Sequence, residues 1–375
     1  MSKLFYSLGL MSGTLMDGVD ASIIQSDGEA KYKVIKDKYF EYNQGIYIGL
    51  TDLRDKIKNI EDIQKHSKEI LKIEKEITLF HAKASVEIMR ESKVNIDFIG
   101  FHGQTIFHNS DKKISKQLGD GILLSQLTKK TVIYDFRQND LRHGGEGAPL
   151  TPIFHQMLEK NFNIKPVSFI NIGGILNITT IWSDGSLSAT DIGPGMCLID
   201  KWIRTNSKKK YDNNGDIAKS GKIDKIILNQ ALDNFFENKN YEIDIKKTSN
   251  FIKSFDVNDF DISFVRGLSL EDGAATLTEY SAQIILSTFL ANKKLNIQEK
   301  SILCGGGRKN KFLVDKINAD KIKVKLIDEF GIDGDFVESQ AFAYLAIRSY
   351  INLPISFPGT TGVNKPCVGG KIIKN

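Results

Sequence analysis

The chain has 375 residues, 41% hydrophobic and 26% charged, which is enough apolar material for two domains of ordinary size and excludes a disordered chain. Its net charge of +5, from 51 Lys+Arg against 46 Asp+Glu, favours phosphorylated ligands. The basic residues are scattered and lack interleaved aromatics, so no nucleic-acid partner is expected. Three separated cysteines without CxxC spacing exclude a disulfide framework or zinc site. No apolar run approaches the roughly 20 residues of a membrane span, and the apolar start is too short for a signal peptide, so a cytoplasmic protein with no membrane partner is expected.

In chain order, Leu4 to Leu10 reads as a strand, Ser12 to Gly18 as a Gly/Asp turn and Val19 to Gln25 as a second strand. Tyr32 to Tyr42 gives a third, with Tyr32, Val34 and Phe40 expected on one face. Helical periodicity follows from about Gln44 to Lys93, then a short strand, Ile96 to Phe101. Leu118 to Leu127 reads as a helix and Thr131 to Tyr134 as a strand. The pattern then restarts: strands at Val167 to Ile172, Leu176 to Trp182 and Leu187 to Asp191, a helix from about Cys197 to Asn206, a long helix from Ala274 to Leu290, a strand at Ser301 to Cys304 and helices at Asn310 to Ile317 and Glu338 to Tyr350. Two successive units of a three-strand meander followed by helices predict a duplicated α/β fold with a cleft between its halves. The halves are expected at 1–135 and 136–375. The Lys/Asn-rich stretch Ser207 to Ser254 is the least structured-looking and is expected to move.

Three glycine turns stand out. The first, Gly13-Thr14-Leu15-Met16-Asp17-Gly18-Val19-Asp20, would expose backbone N–H groups to phosphate oxygens, with Asp17 and Asp20 able to hold Mg²⁺ directly or through water. Asp-Gly is equally an ordinary hairpin turn. The second, from Asp191 through Gly193 and Gly195, leads from a strand into a helix, where amides face anions. The third is Gly305-Gly306-Gly307, where bare backbone admits a flat ligand, or merely a tight turn. No GxxxxGK[ST] run is present, so the chain is not a P-loop protein.

Together these turns resemble the two phosphate elements and the adenosine element of the actin/hexokinase/Hsp70 class, a two-domain ribonuclease H-like duplicated fold. Within that class, several runs resemble the anhydro-N-acetylmuramic acid kinase family, in the family's order: Gly9 to Asp20, Phe101-His102-Gly103-Gln104-Thr105, Asp135-Phe136-Arg137 with Asp140, Gly144 to Pro152, Asn171 to Asn177, Asp191 to Gly195, and Glu338 to Ala343. Two departures stand in the sequence. Lys247-Thr248-Ser249-Asn250 replaces a Ser-Thr-Gly-Arg type motif, and Glu146 stands where Gln is usual.

The resemblance implies use of ATP with Mg²⁺ and a coupled reaction. Water attacks the anomeric carbon of 1,6-anhydro-N-acetylmuramic acid while O6 takes the γ-phosphoryl, giving N-acetylmuramic acid 6-phosphate and ADP. By motif position Asp140 is the general base, the rival being a capping Asp before a loop. Arg137 would grip a carboxylate or phosphate, or form a surface ion pair. Glu338 is implied to touch the sugar, and His102 and Gln104 to bind its hydroxyls or lactyl carboxylate, with a purely structural histidine as the alternative. A homodimer is expected from the resemblance alone. A non-catalytic ATP-binding module of the same fold would need no Asp140; a kinase for acetate or another sugar would leave the Gly144 to Pro152 run unexplained.

Overall fold

The structure, a computed structural model, describes residues 3–238, 254–294, 300–319 and 323–375. In chain order its strands are β1 Phe5–Ser12, β2 Gly18–Ser26, β3 Tyr32–Glu41, β4 Phe98–Asn109, β5 Ile114–Leu118, β6 Thr131–Tyr134, β7 Val167–Ile172, β8 Ile175–Ile181, β9 Leu187–Pro194, β10 Lys300–Cys304, β11 Val324–Leu326 and β12 Lys371–Ile373. They form two sheets. The first has the order β12-β6-β4-β1-β2-β3, with β5 hairpinned onto β4; the second has the order β11-β10-β7-β8-β9.

The two sheets repeat one topology. In the first, β1 is antiparallel to β2, β2 to β3, and β1, β4 and β6 run parallel. In the second, β7, β8 and β9 alternate in the same way while β7, β10 and β11 run parallel. This is the duplicated two-domain architecture of the actin/hexokinase/Hsp70 class. By compactness one unit comprises Met1–Asn163 with Asp335–Asn375, and the other Ile164–Gly334. The boundary expected after residue 135 lies inside the first unit, because the chain beyond β6 stays there and its C-terminal strand β12 pairs back onto β6.

Each sheet has its own core. In the first unit Val19, Ala21 and Ile23 alternate inward from β2 and meet Ile70, Ile73 and Ile77 of the helix Ser67–Ser92. The other face carries the helix Val337–Tyr350, whose close seating needs glycine. Gly9 of β1 and Gly100 of β4 are direct register partners, and a Cβ on either would overlap the backbone of that helix, at Ser339 and Phe342 respectively. In the second unit the helix Leu270–Lys294 supplies Leu277, Ile284 and Ile285 to a core with Ile170, Ile172 and Leu303.

One difference from the sequence expectations has a simple cause. The register of β3 against β2 slips between Ile23 and Ile24, so the two-residue period breaks. Tyr32 therefore packs on Phe154, while Phe40 lies against the core of Leu50 and Ile77. Within Ser207 to Ser254 the described part is largely helical, at Asp216–Ser220 and Lys225–Asn238; Lys247 to Asn250 lie outside the described residues. Among the described residues no helix is long and apolar enough to cross a membrane.

Candidate functional site

In the first unit β1, β4 and β6 point the same way, so the chain segments leaving their C-terminal ends gather at one end of the sheet. That is where α/β sheets hold ligands. The β1–β2 hairpin lies there. Thr14 is exposed and Gly13 has nothing within 4 Å of where a Cβ would stand. Met16 and Val19, in contrast, are core residues at 2% and 0% exposure, so only their backbone could meet a nucleotide. Gly18 is glycine for packing: a Cβ would lie 2.5 Å from the Phe40 carbonyl and the Tyr39 ring. Asp17 and Asp20 are half-buried and both act on the Tyr39 hydroxyl, whose pKa is raised by burial first and then by these two carboxylates. Among the described residues no group of three or more His, Cys, Asp or Glu could hold a metal. Two neighbouring carboxylates nevertheless suit Mg²⁺, which takes one or two protein oxygens and completes its octahedron with water and phosphate.

Gln104 and His102 of β4 serve different ends. Gln104 is 1% exposed; its Nε2 donates to the Gly13 carbonyl at 3.0 Å, and its buried Oε1 has no partner among the described residues, leaving it an acceptor for a ligand hydroxyl or water. His102 sits where β4 slips register against β1, next to Gly103 at φ +76°. Its Nδ1 lies 2.8 Å from the Gly103 carbonyl, which can only accept, so Nδ1 carries the proton. Nε2 then accepts from Arg137, at 3.2 Å from Nε and 3.0 Å from Nη2. Burial, reinforced by Arg137, pushes this imidazole down to about 3, so it is neutral. With both ring nitrogens engaged, His102 orients Arg137 instead of offering itself to a sugar.

Asp140 lies in the short helix Gln138–Arg142 after β6 and is 1% exposed. Its Oδ1 accepts the Gly147 amide at 2.7 Å and its Oδ2 accepts the Thr361 hydroxyl at 2.5 Å. The Gly144–Gly147 loop is folded over it: a Cβ on Gly145 would overlap the carboxylate. Further bonds fix the loop, from Lys113 Nζ to the carbonyls of Gly144 and Gly145, from the Glu146 amide to the Thr361 carbonyl, and from Arg137 Nη1 to the Gly147 carbonyl. The carboxylate expected to activate water is thus enclosed and doubly bonded within the protein. Glu338, in the first turn of Val337–Tyr350, is half-buried beside Ser339, whose Oγ lies 2.6 Å from Ser22 Oγ.

In the second unit β7, β9 and β10 also point one way, and the Gly173–Gly174 turn, Asp191 and Gly305–Gly307 collect at that end. Asp191 is 8% exposed, next to the register slip of β9 at Ile192, and its Oδ2 accepts the Phe255 amide at 2.8 Å. Gly193 packs on Phe235 and Ile284. The amides of Gly195, Met196 and Cys197, at the start of the helix Cys197–Asn206, donate to the carbonyls of Gly174, Gly173 and Gly174. Those three donors hold the turn and are not turned toward an anion. In the third turn Gly305 and Gly307 pack on Asn171 and Ile172, while Gly306 faces open space. Arg308 fixes it, bonding the Gly305 carbonyl at 3.2 Å and forming a two-pronged pair with Asp328 at 2.7 and 2.8 Å.

Four contributors escaped the sequence reading: Tyr42, His81, Lys113 and Thr361. Each acts on a residue far along the chain, 221 positions away for Thr361. No local pattern marks them.

The sequence matches the family described as anhydro-N-acetylmuramic acid kinase over residues 5–375. It is 53% identical over 385 residues to the anhydro-N-acetylmuramic acid kinase of Pelagibacter ubique (strain HTCC1062), covering 100% of both chains. It is 38% identical over 384 residues to that of Brucella canis, covering 99% of each. Among solved structures, component A of the (R)-2-hydroxyglutaryl-CoA dehydratase of Acidaminococcus fermentans is similar at 11% identity and a TM-score of 0.47, over 92% of this chain and 99% of that one.

Proposed function

We propose the residue roles below on the premise that this chain belongs to the anhydro-N-acetylmuramic acid kinase family. It is an ATP-dependent kinase of peptidoglycan recycling that hydrolyses the 1,6-anhydro ring of 1,6-anhydro-N-acetylmuramic acid and phosphorylates O6. Water adds to C1, the C1–O6 bond breaks with its electrons going to O6, and O6 attacks the γ-phosphorus as ADP leaves. The water proton must pass to a carboxylate placed opposite O6.

The glycine loop that closes over one of two buried aspartates carries the assignment of that carboxylate. Asp140 has a backbone amide and a hydroxyl on its two oxygens and a glycine loop over it, so its role is to hold the Gly144–Gly147 loop. Asp191 stands in β9 beside the register slip at Ile192, near the glycine turns, and the Phe255 amide donates to its Oδ2. We assign it the water-activating role. Gly13 to Asp20 receives the β- and γ-phosphates; Asp17 and Asp20 would hold Mg²⁺, which spreads charge over the transferred phosphoryl group when bound. Gly306, open to solvent, meets the flat nucleoside. Glu338, Gln104 through its buried Oε1, and Arg137 address the sugar.

Mass spectrometry of the product tests the reaction. The expected product has gained both a phosphoryl group and a water, with ADP released only when the anhydrosugar is present. Phosphate gained without water, or faster turnover of glucose or acetate, would overturn the assignment.

A further inference from the structure

Beneath the β1–β2 hairpin lies a chain of buried polar groups that the reaction itself does not use. Ser12, the last residue of β1, is 2% exposed, and its Oγ lies 2.9 Å from the Tyr42 hydroxyl and 3.2 Å from His81 Nε2. His81, on the helix Ser67–Ser92, is fully buried and its Nδ1 lies 2.7 Å from the Ile77 carbonyl. The backbone amide of Tyr42 meanwhile donates to the Asp17 carbonyl at 2.8 Å. One residue therefore grips both arms of the hairpin, Ser12 through its ring hydroxyl and Asp17 through its amide.

The proton positions follow from chemistry. A carbonyl only accepts, so His81 Nδ1 carries a hydrogen. Burial pushes this imidazole down to about 4, so at neutral pH Nε2 is a bare acceptor. The single Ser12 hydrogen must then point at Nε2, and Ser12 Oγ in turn accepts from Tyr42, whose own ionisation is suppressed by burial. The order Tyr42 to Ser12 to His81 to Ile77 has one direction and leaves Ser12 one orientation. Ring packing fixes the imidazole, with Phe101 at 4.9 Å and Tyr42 at 6.2 Å between centroids.

We propose that His81 is a positioning residue for nucleotide binding, acting through Ser12 and Tyr42 to hold the Gly13–Asp17 turn in the shape that receives phosphate. This rests on the proposed phosphate-binding role of the hairpin. The position adjoining Ser12, Gly13, is open on its outer side, so what fixes this turn must come from below, and Gln104 and this chain are what lie there.

The experiment measures KM for ATP, KM for the anhydrosugar and kcat in four variants of the whole chain. Losing a buried hydrogen bond that orders a binding loop is worth about 1 kcal/mol, so His81→Leu should raise KM for ATP by roughly five- to tenfold with KM for the sugar unchanged. His81→Gln restores an acceptor toward Ser12 and should recover most of that loss. Tyr42→Phe keeps the amide and ring but removes the hydroxyl, and should raise KM for ATP by about threefold; it decides the matter if His81→Leu does not fold. Gly13→Val serves as the control for the hairpin itself. If Gly13→Val raises KM for ATP while His81→Leu and Tyr42→Phe leave it at the wild-type value, His81 only packs and the inference falls. If Gly13→Val also leaves it unchanged, the hairpin is not the phosphate site and the parent reading falls instead.

Discussion

The same place in two sheets of one topology is built in two ways. In the first unit the turn after the leading strand is five residues, 13–17; the Gln104 side chain and the Tyr42 amide bond its carbonyls, and the Tyr42 and His81 side chains bond Ser12 just before it. In the second it is two residues, 173–174, and is held by the backbone amides of 195, 196 and 197. A turn steadied in part by side chains from other elements can be adjusted residue by residue, with the Met16 amide taken by the Gly13 carbonyl. A turn held by amides is rigid, but those donors are occupied. A second contrast parallels the first. All six histidines, at 66, 81, 102, 108, 143 and 155, belong to the first unit, and both tryptophans, 182 and 202, to the second.

The largest expected effect tests the assignment of the two aspartates, one in each unit. Asp191→Asn should keep KM for both substrates near normal and lower kcat by about 10²–10⁴, the usual cost of losing a general base. Asp140→Asn should lower stability by about 1–3 kcal/mol, as a charge-assisted bond to Gly147 becomes neutral and the Thr361 hydroxyl must turn, with kcat within about tenfold of wild type. Thermal melts and steady-state kinetics on both variants decide it. A folded Asp140→Asn protein without turnover, beside an active Asp191→Asn, would reverse the roles.

Acid should separate the units. Burial pushes His81 down to about 4 and His102, His108 and His155 down to about 3. These are depressed folded-state values, so the stability they contribute is complete above the unfolded value of about 6.5 and is lost as pH falls from there toward 3–4. In that window the unfolded chain binds protons that the folded one refuses, at up to about 1.4 kcal/mol per pH unit for each group. Hydrogen exchange in residues 3–163 should therefore accelerate between pH 6.5 and 4.5 before tryptophan fluorescence, which reports only the second unit, changes. Coincident transitions would mean that the units unfold as one.

Smaller effects should follow the manner in which each turn is held. Gly195→Ala places a Cβ into the Gly173 carbonyl, a backbone atom that cannot swing away, and should destabilise the protein by about 1–3 kcal/mol in thermal melts. Gly13→Val meets nothing and should change stability by no more than about 0.5 kcal/mol while raising KM for ATP roughly tenfold. Equal stability losses at both positions would erase the distinction between the two turns.

Much of the fold was legible because hydrophobic period and glycine punctuation are local. The strand Val167–Ile172 and the helix Cys197–Asn206 fall where the pattern put them. β4 runs on to Asn109, past the expected end at Phe101, with a register slip at His102 letting the strand carry the His102-Gly103-Gln104-Thr105 run. Leu118 ends β5 instead of opening a helix, since Asp120 caps the helix Gly121–Thr128 through the amides of Ile122 and Leu123. β12 is three residues long and has no signal beyond its pairing with β6.

By itself the sequence determined the duplicated α/β plan, the turns at Gly13 and Gly305 and the family, since each rests on residue order along the chain, whereas Asp191 to Pro194 lie in β9. It could not say which glycines stand open and which face a neighbour. Gly13 and Gly306 stand open, whereas Gly9, Gly100, Gly195, Gly305 and Gly307 are glycine because backbone or side chain passes too close for a Cβ. Nor could it say what each aspartate touches. Asp140 and Asp191 are both aspartates in glycine-rich runs, and only the folded chain brings Thr361 across 221 positions to close the one and the Phe255 amide to steady the other.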